Sequence, residues 1–313
     1  YNVNDTKIVD MRRCIMTNDV ETTSIINGGL RVETGDRVWK EGLPLILDIY
    51  AKYNIRATFF FIAKYAKRCP EIVTMVHKAG HEVALHGLTH DHKLSFDTML
   101  YELQLEHLVE GKKILEDIAG EEVVSFRSPA LRVNSDTPRA LVEAGFRYDS
   151  SVAPQRLDMF MSLGSKNKMQ WLKAPRTPYE TAIDNLARRG NSGIIEVPVS
   201  SFGAPYIGTA MRVAPRLTKL TRSLVYCETK DTNKVVNFLI HPIELITEPQ
   251  LNEKIERRSK NPISYLLSDV IRHQLKLKNL GEPAVKLFEK EIEYWLENKY
   301  DFVTIKDING KEK

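Results

Sequence analysis

The 313-residue sequence predicts an α/β fold: parallel strands and helices alternating, as a covered sheet or closed into a barrel. Three observations predict it. Apolar, β-rich runs alternate with helical patterns from Cys14 to Ile305, the signature of parallel pairing. The chain is long enough to enclose a core as one large unit, folding from ~52,000 Å² of surface to ~13,000 Å². Four strand ends each finish in a residue able to do acid–base or metal chemistry, as in a barrel with its site on one face.

The elements follow in order. Cys14 to Thr17 is a short apolar run ending in Asn18-Asp19. From Arg37 to Tyr53, Val38, Leu43, Leu45, Ile46, Ile49 and Tyr50 form a helix face. Arg56 to Ile62 is a β-rich run suited to a buried strand. Pro70 to Ala79 opens on Pro and stops before Gly80, as helices do. Glu82 to Leu85 is a strand running into a histidine-rich loop, and Phe96 to Ala119 a long helix stopped by Gly120. Val123 to Phe126 is a strand, and Ser135 to Ala144 a helix with Gly145 past its end. Ile194 to Pro198 and Val235 to Ile240 are apolar strands. Tyr294 and Trp295 lie on a late helix, and Phe302 to Ile305 closes as a strand. Gln155 to Gly193, polar and rich in Arg and Lys, reads as a lid-like insertion within a single domain spanning 1–313. Thr247 to Asn261 is a second polar stretch.

Composition narrows the function. Hydrophobic residues at 42% and charged residues at 27% exclude a disordered chain. Lys plus Arg is 45 against 41 Asp plus Glu, a scattered +4 that does not point to nucleic acid. Cys14, Cys69 and Cys227 form no CxxC, so neither a disulfide scaffold nor a cysteine zinc site is indicated. No apolar run reaches the ~18 residues of a membrane span. GxGxxG, GxxxxGK and GxSxG are all missing, which removes support for nucleotide and serine-hydrolase chemistry. The unpaired cysteines, and a start at Tyr1 with no charged-then-apolar leader, lead us to expect a cytoplasmic protein, or a cell-envelope one if a leader has been removed.

Five of the eight histidines fall between His77 and His92. His86 and His90, four apart after a strand, suit two imidazoles on one ion, although HxxxH also arises by chance. HEVALH is not the HExxH of metalloproteases, because its histidines are one residue too far apart. Asn18-Asp19-Val20-Glu21 supplies carboxylates. In extended backbone Asp19 and Glu21 point to one side, where they repel unless a cation or proton lies between them. Arg127, ending a third strand, suits a bidentate grip on a carboxylate or a surface position over apolar neighbours. His241, after a fourth apolar run, is either a capped structural histidine or a catalyst.

Together these residues resemble the polysaccharide deacetylases of the NodB-homology type, carbohydrate esterase family 4. Asn54 to Ile62 resembles the strand after the family's first motif. His86-Gly-Leu-Thr-His90 resembles its H-[ST]-x-x-H, with Gly87 as a departure. Phe126-Arg127-Ser128-Pro129, Ile195 to Pro198 and Ile240-His241-Pro242 resemble later motifs in the same order. The resemblance covers Arg13 to Ile308, with Gln155 to Gly193 poorly matched. The usual Thr-Phe-Asp-Asp is replaced by Thr17-Asn18-Asp19-Val20-Glu21, where Val20 cannot ligate.

The resemblance implies a distorted (β/α) barrel of about seven parallel strands. It implies a divalent metal, zinc foremost, held by Glu21, His86 and His90. Asp19 would be the base, Arg127 its orienting partner and His241 the acid; the reverse assignment, Asp19 on the metal, is the alternative. The implied activity is hydrolysis of an N-acetyl or other N-acyl group on an amino sugar of a polysaccharide or glycan precursor. Its alternatives are a deformylase of a lipid-linked amino sugar and a non-catalytic carbohydrate-binding relative. Two histidines with a carboxylate also describe a non-haem iron oxygenase, but those sites sit on all-β folds. Pro129 and Tyr206 are candidate substrate contacts, with Trp171 and Tyr179 further rings able to stack on sugars or simply to pack. Met211 to Arg222, with Arg212, Arg216, Lys219 and Arg222, is either a solvated basic helix face or a contact for a phosphate-bearing or membrane-bound substrate.

Overall fold

Parallel strands rich in Val, Ile and Phe must be covered on both faces, and the computed structural model meets that demand by curling the sheet. It describes residues 12–25, 30–91, 93–155, 169–232, 234–247, 275 and 277–308. Strand β1 (Arg13–Val20) is followed by helix α1 (Val32–Arg37), which passes through a π-helical turn (Val38–Gly42) into α2 (Leu43–Lys52). The predicted helix face at 37–53 is thus the greater part of a longer, irregular helix that starts at Val32. Gly42 lies in the π turn because a Cβ there would stand 2.8 Å from the carbonyl oxygen of Pro242. The helix can therefore press on the turn after His241.

The first half continues with β2 (Thr58–Phe61), α3 (Ala63–Arg68), α4 (Glu71–Lys78), β3 (Glu82–Leu85), α5 (Tyr101–Ala119), β4 (Ser125–Phe126), α6 (Thr137–Glu143) and β5 (Tyr148–Asp149). A hairpin of β6 (Tyr179–Ala182) and β7 (Asn185–Arg189) precedes β8 (Ile195–Glu196) and the short pair β9 (Ser201–Phe202) and β10 (Ala204–Pro205). Helices α7 (Gly208–Val213) and α8 (Pro215–Thr229), strand β11 (Val235–Ile240), helix α9 (Glu282–Glu297) and strand β12 (Asp301–Phe302) complete the described elements.

Seven strands pair in parallel in the order β11-β1-β2-β3-β4-β5-β8. Beyond β8 lies the antiparallel hairpin β6–β7, and β12 joins the start of β1. The described part of the predicted insertion is therefore a short 3-10 turn (Met169–Lys173) leading into a hairpin that extends the β8 edge; residues 156–168 of it, and 248–261 of the second polar stretch, lie outside the described residues. The two ends of the parallel run meet beyond β8. Ser200 N–H donates to Asn237 O at 2.9 Å, and Asn237 N–H to Ser200 Oγ at 2.9 Å. The result is a distorted barrel.

Alternation along the strands grades its interior. At the bottom Glu82 accepts from Thr58 and Ser125 at 2.6 and 2.5 Å. Above it an apolar layer joins Ile15, Phe60, Ala84 and Val197 to Ile305 and Ile308. Thr17, Asp19 and Arg127 follow on the same side of their strands, so the upper interior is polar. The other strand faces, such as Cys14, Met16, Phe59, Phe61, Val83 and Leu85, join the main core with residues of the helices. Among the described residues, no helix is long and apolar enough to cross a membrane.

Candidate active site

The ends of β1, β3, β4 and β11 bring six side chains to one point. Glu21 Oε2 lies 2.7 Å from His90 Nε2. His86 Nε2 lies 3.7 Å from Asp19 Oδ2. His241 Nε2 lies 3.9 Å from Asp19 Oδ2 and 3.7 Å from Glu21 Oε1. One ligand atom each from Glu21, His86 and His90 falls within 4.8 Å of the others.

The donor chemistry fits a divalent cation. His86 Nδ1 is 2.9 Å from the carbonyl oxygen of Arg127. A carbonyl only accepts, so Nδ1 carries the hydrogen and Nε2 presents its lone pair to the cluster, the usual arrangement of a metal-binding imidazole. Thr23 donates to Glu21 Oε2 at 3.2 Å. One carboxylate and two imidazoles are a donor set that suits a divalent metal ion, and Glu21, His86 and His90 are the residues that would hold the ion. Burial opposes ionisation of Glu21, but the charge and hydrogen bond of His90, with His241 and His86, hold its pKa well below the usual range.

Arg127 divides the two acids. Its Nη1 donates to Asp19 Oδ1 at 2.8 Å. The guanidinium is fully buried, lies 4.3 Å over the Phe60 ring, and donates to Ser150 O, Ser150 Oγ and Thr17 Oγ1 at 2.8–3.0 Å. Burial pushes the Asp19 pKa up; the charges of Arg127, His86 and His241, with the Arg127 hydrogen bond, outweigh this and lower it. Arg127 thus pairs with Asp19, and His90 with Glu21.

His241 is held by a partner that sequence reasoning missed. Its Nδ1 lies 2.8 Å from Glu244 Oε1 in the short turn Pro242–Leu245, and Arg212 Nε donates to Glu244 Oε2 at 2.6 Å. Burial would discharge the imidazole, but the hydrogen bond and charge of Glu244, with Glu21 and Asp19, raise its pKa to about 9. Burial likewise opposes ionisation of Glu244, yet Arg212 and His241 bring it down to about 2. The signal for Glu244 was the histidine three residues before it, on one side of a turn.

Two predicted substrate contacts, Tyr206 and Pro129, are corrected, and Trp171 and Tyr179 take the packing alternative. Tyr206 is fully buried, donates to Glu291 Oε2 at 2.6 Å and accepts from Trp295 Nε1 at 2.8 Å, so it has no face for a sugar. Pro129 is buried and fills the space where a Cβ on Gly87 would sit, 3.0 Å from its Cγ. It buttresses the histidine loop instead of facing substrate. Trp171 and Tyr179, each 2% exposed, pack. The basic segment also splits: Arg212 is buried on Glu244 and Arg222 pairs with Glu291 at 3.1 Å, while Arg216 and Lys219 stay exposed.

Residues 31–148 match the polysaccharide deacetylase family model. A peptidoglycan deacetylase of Helicobacter pylori is 27% identical over 111 residues, 36% of this chain and 37% of that protein. A peptidoglycan-N-acetylglucosamine deacetylase of Bacillus cereus is 32% identical over 111 residues, 33% of this chain and 47% of that one. The chain thus spans less than half the length of these relatives. A solved structure described as a probable polysaccharide deacetylase from Pseudomonas aeruginosa superposes with a TM-score of 0.61 over 95% of this chain and 90% of its own, at 16% identity. That likeness is one of fold.

Proposed function

We propose that this chain, a member of the polysaccharide deacetylase family of the NodB-homology type, is a metal-dependent amidohydrolase that removes an N-acetyl group from an amino sugar of a glycan or glycan precursor. One observation carries the reading: a three-residue ligand set, an acid paired to a buried Arg and a histidine paired to a buried Glu converge on one point. A non-catalytic relative has no need of all three.

A divalent cation on Glu21, His86 and His90 would supply Lewis acidity to the amide carbonyl and to an attacking water. The chain's own residues supply the rest. Asp19 keeps Oδ1 on Arg127, which leaves Oδ2 facing the cluster to take the proton of the attacking water. Arg127 fixes the orientation and charge of that base. His241 gives Nδ1 to Glu244, so the hydrogen on Nε2 faces the two acids and is available to the departing sugar nitrogen. The products are a short acid and a free amine.

The test is amine release from N-acetyl and N-formyl amino sugars, chitooligosaccharide and peptidoglycan by the zinc-loaded protein. Release from an N-acetylated substrate, lost together with zinc uptake in His86→Ala, is expected. Preference for the N-formyl sugar would replace acetyl by formyl as the group removed. Full turnover by His86→Ala would overturn the mechanism.

A further inference from the structure

Two ionisable groups outside this cluster are unexplained by it. Asp149 on β5 and Glu196 on β8 are direct register partners on neighbouring strands. Both are fully buried, and as register partners on one face of adjacent strands their side chains lie side by side. They point to the outer face of the barrel, opposite Tyr148, Ile195 and Val197, which pack on the interior layer.

Two ionised carboxylates cannot share such a place without a large penalty. The hydrogen bonds say where a proton sits. Asp149 Oδ2 accepts from Ser151 N at 3.0 Å and Oδ1 from Ser151 Oγ at 2.8 Å. Glu196 Oε1 accepts from Val152 N at 3.1 Å. Glu196 Oε2 is buried, and no donor among the described residues reaches it. A bare carboxylate oxygen there is costly, whereas a hydroxyl could be satisfied by donating to the carboxylate of the neighbouring strand. The charged or titratable neighbours are Arg127 and Tyr179. Tyr179 gives its hydroxyl to Leu186 O, so it is not the missing donor. Burial and mutual repulsion push Glu196 well above the usual carboxyl range and raise Asp149 too.

The pair acts on the site through the chain between its partners. Ser151, held by Asp149, accepts Ser128 N at 2.9 Å, which ties the exit of β5 to the exit of β4. Ser150, between them, presents its carbonyl and hydroxyl to Arg127. We propose that Glu196 holds a proton on Oε2 and donates it to Asp149, and that this shared-proton pair positions Arg127 for Asp19. The second half rests on the reading of Asp19 as base.

Infrared difference spectroscopy of the full chain at neutral pH tests the proton. A protonated-carboxyl stretch present in the wild type and missing in Glu196→Gln is expected, because the Gln amide donates where the hydroxyl did. A band unchanged by that substitution, or none in the wild type, would overturn the proposal. Positioning is read without turnover from the slow exchange of the Arg127 Nε–H by NMR. Glu196→Leu should speed that exchange and Glu196→Gln restore it; equal exchange in wild type, Leu and Gln variants would reject the positioning role. If Glu196→Leu does not fold, the wild-type and Gln spectra still decide the proton, and Asp149→Asn, which sets an amide against the Ser151 donors, takes its place in the exchange experiment. In kinetics the Leu variant should lose about 10–100-fold in kcat, with rescue by Gln. A wild type inert on every amino-sugar amide would defeat the proposed function while leaving both spectroscopic results to stand.

Discussion

Glu244 holds two cations on one carboxylate, with His241 on Oε1 and Arg212 on Oε2. Glu244→Gln keeps the shape and removes the charge that neutralises a buried guanidinium, so it should cost about 3–5 kcal/mol in urea unfolding. The same pair predicts an acid limb. The folded chain holds Glu244 ionised down to about pH 2, whereas the unfolded chain protonates it near its ordinary value of 4.5. Between those values the unfolded state binds the extra proton, so about 3 kcal/mol of stability, present above pH 4.5, is lost as pH falls through the window. Unfolding curves of wild type and Glu244→Gln should converge toward pH 2; parallel curves would remove Glu244 as the cause. The residues legible in the sequence were those whose chemistry is distinctive by itself at a strand end: Asp19, Glu21, His86, His90, Arg127 and His241. Arg212 was not, because nothing local separates it from Arg216 and Lys219. Its meaning comes from a carboxylate 32 residues away. Tyr206 failed for the converse reason, since a tyrosine in a loop-like stretch looks exposed until Glu291 and Trp295 arrive from α9.

At the scale of elements, strands β3 and β11 match their predicted bounds because each is an apolar run with polar neighbours. Strand β5 has two residues and no apolar run; it exists through its pairing with β4 and β8, which no local pattern announces. The β6–β7 hairpin was hidden by its polar residues, since Asp184, Arg188 and Arg189 face water. The loop after β3 carries the one motif departure that the structure explains. Gly87 has φ +83°, and a Cβ on it would meet Pro129 Cγ at 3.0 Å. A hydroxyl residue at this position, as in the H-[ST]-x-x-H pattern that the segment resembles, should therefore be harmful here. Gly87→Ser is expected to cost about 1–2 kcal/mol in stability from the left-handed backbone and to weaken zinc binding by displacing His86 and His90, measured by thermal unfolding and zinc titration. A Ser variant as stable and as tight as wild type would mean that the loop has an alternative path past Pro129.

For the whole molecule the decisive contact is the one that curls the seven-strand parallel run into a barrel. Asn237 on β11 donates through Nδ2 to Val197 O and Ser150 Oγ, each at 3.0 Å, and accepts from Thr17 Oγ1 at 3.0 Å. One side chain thus joins β1, β11 and the exits of β5 and β8, and through Ser150 and Thr17 it also meets Arg127. Because these strands lie at opposite ends of the parallel run, loosening Asn237 should weaken the entire barrel at once. Asn237→Ala is expected to lower stability by about 1–3 kcal/mol, with buried acceptors left to weaker partners. The denaturant midpoint should fall while the slope stays constant, as for a two-state change in stability. Two separated transitions, with the β5–β8–β6–β7 edge melting first, would instead show that the chain unfolds as more than one unit. Since Asp19 is oriented by the same network, turnover should fall in the variant under conditions where it is still fully folded. Unchanged turnover there would uncouple barrel closure from the position of Arg127.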